Sequence, residues 1–155
     1  MEFRGWKDHR GRVWLTGMAV MLSLQLASTW MLAGLIWVIQ LLAYPQFLRV
    51  PAAEFTGYHF AHCWRTGLML APLLCLEAVT AAWLLCHGHR EPPFMISAGL
   101  IPAIWLCTAV VQAPLHTKLM RGFDAEIIRR LILTNWLRTL AWTARGVLVS
   151  YVVAS

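Results

Sequence analysis

The chain has 155 residues, of which 59% are hydrophobic and only 13% charged, and its formal net charge is +6. Soluble domains average about 45–50% apolar and about 25% charged residues, so the composition excludes an ordinary soluble enzyme and points to one integral membrane domain. The basic residues flank apolar stretches and form no single patch, which argues against nucleic acid and for anionic lipid headgroups as partners.

The apolar residues concentrate in four runs, roughly 17–44, 67–86, 94–113 and 137–154. Each meets or nearly meets the ~20 residues needed to cross a ~30 Å hydrocarbon core. The predicted fold is all-α, an integral membrane four-helix bundle. Ahead of the first run, 1–13 reads as a short basic leader with Arg4, Lys7, Arg10 and Arg12. The run after it is too long for a secretory h-region and has no A-x-A cleavage site, so it reads as a retained first helix.

Helix one carries Gln25, Trp30, Trp37, Gln40 and Tyr44, the last four on one face by steps of three and four. Tyr44-Pro45 marks its expected end, because the residue before a proline is pushed out of the helical region. Pro51 suits the first turn of a second helix, whose pattern continues to Cys86 with only Pro72 interrupting. Such a helix is ~50 Å long, so its first turns project beyond the bilayer core, carrying Tyr58, His59, His62 and Arg65. Gly88 and Pro92-Pro93 predict a tight turn. Helix three runs over 94–113 with a kink at Pro102 and a polar face of Trp105, Thr108, Gln112 and His116. Asp124 is the predicted N-cap of a helix that continues through Asn135 into the fourth run. Trp105, Trp136 and Trp142 fit either an interfacial belt or a bundle core.

An even number of spans puts the 45–65 and 114–135 connections at one membrane face, together with His59, His62, His116, Asn135 and Arg138. Lysine and arginine divide almost evenly between the two faces, and the first helix usually dominates orientation. The expected placement is therefore the plasma (inner) membrane with both termini cytoplasmic.

His59 and His62, three apart on a helix, face one partner, and with His116 they supply three imidazoles for a metal. Histidines from two helices also suit axial haem ligation, and interfacial hydrogen bonding to headgroups or backbone is the bland alternative. Cys63, Cys75, Cys86 and Cys107 have no C-x-x-C spacing and read as small buried hydrophobes. Glu77 and Arg145 fall near the midpoints of their runs, where mutual pairing is the cheapest arrangement for two intramembrane charges. Asn135, Arg138, Trp142 and Arg145 recur at steps of three, four and three, an inward stripe. Gln40, Tyr44, Thr108, Gln112 and Trp142 are the expected lining of a pocket between the ion pair and the histidines.

The stretch Gln112-Ala113-Pro114-Leu115-His116-Thr117-Lys118-Leu119, followed by Asn135-Trp136-Leu137-Arg138-Thr139, resembles the second half of the anthrone-oxygenase-like family. Its pattern is a proline-leucine pair and a polar residue after helix three, then an Arg-Thr pair entering helix four. Upstream, Tyr44-Pro45 fits the end of helix one. His116 departs from the pattern, since the family commonly has asparagine there. The resemblance implies a four-helix membrane bundle and, from fungal members, oxidation of an aromatic polyketide by oxygen without an established cofactor.

The resulting expectation is an oxidoreductase or oxygenase acting on a lipophilic, aromatic substrate that enters from the bilayer. His62 or His116 is the candidate base, since an imidazole with a pKa of ~6.5 accepts protons near neutrality. Arg138 stabilises a developing oxyanion and Asn135 orients it. A non-catalytic haem, quinone or metal carrier is the alternative, as is a structural or transport-partner subunit. A homo-oligomer, and a His-bound metal, haem or no cofactor, all stay open.

Overall fold

A computed structural model describes residues 3–155, with side chains from Trp14 onward. The side chains of Arg4, Lys7, Arg10 and Arg12, on which the orientation reading rests, lie outside the described residues. Every described element is helical. Three stretches are long and apolar enough to cross a membrane, Trp14–Phe47, Phe55–Cys86 and Pro92–Leu119.

α1 spans Phe3–Val38, so the backbone of the basic leader from Phe3 is part of the first helix and not a separate segment. The helix also does not stop at Tyr44-Pro45. A π-helical turn, Ile39–Ala43, leads into α2, Tyr44–Phe47. Proline lacks the N–H of the α-helical ladder and its ring collides with a carbonyl one turn back. The widened turn, in which the Tyr44 N–H reaches Ile39 O, moves the ladder out of the way so the chain continues helical.

Helix three uses the same device. α4, Pro92–Cys107, passes Pro102 unbroken and enters a second π turn, Thr108–Gln112, with the Ala113 N–H on Thr108 O. α5, Ala113–Leu119, then carries Pro114 near its start. Helix three therefore ends six residues beyond the apolar run that announced it. In both helices the proline stands two residues after the π turn, and Gln40, Tyr44, Gln112 and His116 lie in or just past the widened turns.

α3, Phe55–Cys86, has 32 residues and holds Pro72 inside it. It begins after Pro51, which sits in the preceding turn and not in the helix. Gly88, at φ +104°, closes α3 in a conformation that side-chain-bearing residues rarely adopt. Asp124 caps α6, Ala125–Ala154, accepting from the N–H groups of Glu126 and Ile127 at 2.9 and 3.0 Å.

Cross-helix hydrogen bonds fix an up-and-down arrangement. Trp30, Trp37 and Gln40 of the first helix meet Ser150, Thr143 and Ile132 of α6, in opposite order along the two chains. Gln25 and Thr29 meet Thr80 and Glu77 of α3, and α4 and the turn after it meet α6 through Ser97 with Arg145 and Gln112 with Thr134. The closely packed pairs are α1 with α3, α1 with α6, and α4 with α6. α3 and α4 are not among them, and a cleft separates the two.

Candidate functional site at the cleft between α3 and α4

Two buried polar layers cross the bundle. The first, near the apolar midpoints, takes a contribution from each long helix. Arg145 of α6 forms an ion pair with Glu77 of α3, and both side chains are fully buried. Thr29 of α1 donates to the same Glu77 oxygen at 2.9 Å, and Arg145 Nε donates to the Ser97 carbonyl of α4 at 2.9 Å. Gln25 and Thr80 extend the chain, with the Thr80 hydroxyl donating to Gln25 Oε1 at 2.6 Å. The Trp142 ring lies 5.2 Å from the Arg145 guanidinium. The pair does not line either large cavity.

The second layer lies where the π turns open the helices. His59 Nε2 and His116 Nδ1 are 2.9 Å apart, with the rings stacked at 5.2 Å. The Tyr44 hydroxyl and His116 Nε2 share a hydrogen bond of 3.0 Å. Cys63 Sγ stands 3.5 Å from His116 Nδ1 and 3.7 Å from His59 Nε2. His59 is fully buried against Phe55 and Phe47. His62 packs its ring on Phe47 at 4.9 Å and lines a cavity.

Two cavities open beside α3, the larger facing α4 and the smaller facing the second π turn and α5. The smaller, about 400 Å³, is lined among others by Tyr44, His62, Cys63, Gln112, His116 and Arg138. The larger, about 540 Å³, is lined by Leu32, Ile36, Leu70, Leu74, Ile104, Trp105 and Trp142, with Arg138 as its one charged residue. Gly67, Leu70, Thr108 and Arg138 belong to both walls. Several wall residues, including Gly67, Ala71, Cys75, Trp105 and Ala109, are exposed at the surface of the bundle. The cleft is therefore open sideways, to the outer surface of the bundle.

Arg138 is held from behind. Its Nη1 donates to Asn135 Oδ1 at 3.1 Å, Asn135 Nδ2 donates to Gln40 Oε1 at 2.8 Å, and Gln40 Nε2 donates to the Ile132 carbonyl at 3.1 Å. Arg138 Nε is buried without a hydrogen-bond partner, and among the described residues no carboxylate pairs with the guanidinium.

The structure redistributes the sequence-derived roles. Tyr44, Thr108, Gln112 and Trp142 line the cavities, and Gln40 does not. Asn135 also stays behind the wall. Its amide bonds Gln40 at one end and Arg138 at the other, and it is fully buried and lines neither cavity, so it positions Arg138 and does not reach a substrate oxygen. Of the three histidines read as metal ligands, His59 and His116 come together, but the third atom beside them is Cys63 and not a His62 nitrogen. The signal was present: His59 and Cys63 are four apart, one helical turn, and share a face. Cys75 and Cys86, read as buried, are exposed. A haem between His59 and His116 does not fit, because a porphyrin must separate two nitrogens that here touch each other.

Compared with known proteins, the chain matches no family model, no curated protein and no solved structure, so the geometry of the cleft carries the functional reading by itself.

Proposed function

We propose that this protein is a four-helix membrane bundle in which α6 is the fourth span, and that it oxidises a lipophilic aromatic substrate within the α3–α4 cleft. The observation that carries the reading is Arg138: a cation held by Asn135 and Gln40, facing an apolar cavity of about 540 Å³, with no carboxylate partner among the described residues. A cation in such a place is expensive unless it serves a ligand. An acidic oxygen on an aromatic ring system is the complement of that wall. Exposed Leu133, Leu137, Leu140 and Val147 on the outer face of α6 support its place in the bilayer, although Arg138 and Arg145 lower its hydropathy.

The His62 ring makes no hydrogen bond to the described residues, whereas both ring nitrogens of His116 are engaged, so His62 is the better base. Its imidazole takes a proton from an acidic C–H or O–H of the substrate, and Arg138 stabilises the enolate or phenolate oxygen that results. For an anthrone-type substrate the overall step balances without a reductant. The ring CH2 becomes a carbonyl, one oxygen atom of O2 enters that carbonyl, and the other leaves as water with the two hydrogens. Phospholipid surrounds the bundle, a homo-oligomer is compatible with its apolar faces, and the membrane is the plasma (inner) membrane with both termini cytoplasmic.

The test is oxygen uptake and anthraquinone formation by the protein in lipid nanodiscs supplied with an anthrone. Uptake should match product one to one and exceed the spontaneous rate. A rate equal to that of empty nanodiscs for anthrones and simpler hydrophobic phenols would overturn the reading.

A further inference from the structure

The contact of His59, Cys63 and His116 goes beyond the proposed oxidation, which does not use it. We infer that these three residues form a metal site for a thiophilic ion of the zinc or copper(I) kind. Two come from one turn of α3 and the third from α5, so the site also ties the mouth of the cleft together.

Three atoms that each carry a lone pair, His59 Nε2, His116 Nδ1 and Cys63 Sγ, converge on one point. Their separations are 2.9, 3.5 and 3.7 Å. Hydrogen bonding does not account for this triangle. In either tautomer one of the two facing nitrogens carries the proton and the other accepts it with its single lone pair, so neither has a lone pair left for the thiol. A thiol has one proton, yet the sulfur lies almost equally far from both nitrogens.

Coordination accounts for all three edges. Zinc–nitrogen bonds of ~2.0–2.1 Å and zinc–sulfur bonds of ~2.3 Å at tetrahedral angles place N and S about 3.6 Å apart and N and N about 3.3 Å apart. The two sulfur edges already match to about 0.1 Å, and the nitrogen pair must open by about 0.4 Å. Two imidazoles and a thiolate suit zinc and copper(I) better than the harder magnesium or calcium.

The surroundings support the same assignment. A ligating histidine usually places its other ring nitrogen against a fixed partner, and His116 Nε2 has the Tyr44 hydroxyl at 3.0 Å. The bound state has protons on His116 Nε2, facing Tyr44, and on His59 Nδ1, which is buried without a partner, and Cys63 releases its thiol proton to solvent as the ion enters. Cys63 and His116 both line the smaller cavity beside Tyr44 and His62. Three protein ligands is also the number that leaves a fourth position for water or a bound molecule.

The experiment uses the full chain in detergent, stripped with a chelator and titrated with Co(II), then with Zn(II) in competition. One equivalent of Co(II) should produce a thiolate charge-transfer band in the near ultraviolet that Zn(II) abolishes. Cys63→Ser should remove the band, and Cys63→Ser and His116→Gln should each weaken Zn(II) binding by more than the 10–100-fold expected for a merely supporting residue. Cys75→Ser and His62→Gln should bind as the parent does. Alkylation of the unaltered chain gives a reading independent of variant folding: Zn(II) should protect Cys63, and chelation should expose it, while Cys75 and Cys86 react alike in both states. No stoichiometric binding, a band that survives Cys63→Ser, or loss of binding in His62→Gln would each overturn the assignment. All of these readings are made without substrate, so they fail or succeed separately from the oxidation.

Discussion

Arg138 and Arg145 stand two turns apart on the same face of α6, and the molecule treats them in opposite ways. Arg145 meets Glu77, Ser97 and the Trp142 ring, and neither member of the ion pair lines a cavity described above. Arg138 meets the neutral groups of Asn135 and Tyr44 and no carboxylate among the described residues, leaves Nε without a partner and faces both cavities. The same residue type, at the same helical phase, serves cohesion in one layer and remains available in the other. What differs is the facing helix: α3 presents a carboxylate opposite Arg145, and presents only cavity-lining residues opposite Arg138. An arginine within an apolar run therefore reports a demand for a partner, and the packing decides whether protein or ligand meets it.

The largest expected effect comes from breaking the closed layer. Glu77→Ala leaves Arg145 buried and uncompensated, a loss of ~3–5 kcal/mol, read as a large fall in melting temperature in detergent. Adding Arg145→Ala should cost much less than the sum of the two single changes. Additive losses would mean that the two charges do not depend on each other.

Arg138→Gln should invert that pattern. Turnover in the proposed oxidation should fall by ~10²–10³-fold, the usual consequence of losing one oxyanion-stabilising donor, with the melting temperature nearly unchanged. A stability loss comparable to that of Glu77→Ala would place Arg138 in the structural class and erase the contrast.

Two smaller changes sharpen the comparison. Gly146, one residue beyond Arg145, is packed so that an added Cβ would lie 3.0 Å from the Trp30 ring. Gly146→Ala should therefore destabilise by about 1–3 kcal/mol through overpacking and disturb the Trp30–Ser150 hydrogen bond, visible in tryptophan fluorescence. Gln40→Leu removes the prop behind Asn135. It should lower turnover about tenfold, equivalent to about 1.4 kcal/mol, mainly through kcat, since Arg138 stays present but less well aimed. An unchanged kcat would show that Arg138 holds its position without the amide relay.

Hydrophobic patterning along the chain determined the helices, since long apolar runs need little beyond their own backbone hydrogen bonds to be helical in a bilayer. The N-cap at Asp124, the turn at Gly88, the inward stripe from Asn135 to Arg145 and the contact face of Trp30, Trp37 and Gln40 were legible for the same reason, each depending on local geometry and spacing. The helix ends at Pro45 and Pro114 were not. A proline signals a break, and only the surrounding helices decide whether a π turn absorbs it.

The site divides along the same line. Sequence gathered His59, His62, His116, Asn135 and Arg138 at one end of the bundle, because four antiparallel helices in chain order leave little choice. Tertiary structure alone decided which atoms touch: Cys63 beside the paired imidazoles in place of His62, Asn135 and Gln40 behind Arg138, and a cleft where α3 and α4 fail to pack. Residue spacing fixes position along a helix and phase around it. It carries no information on the distance between two helices, and that distance separates the buried ion pair from the arginine left facing the cavity.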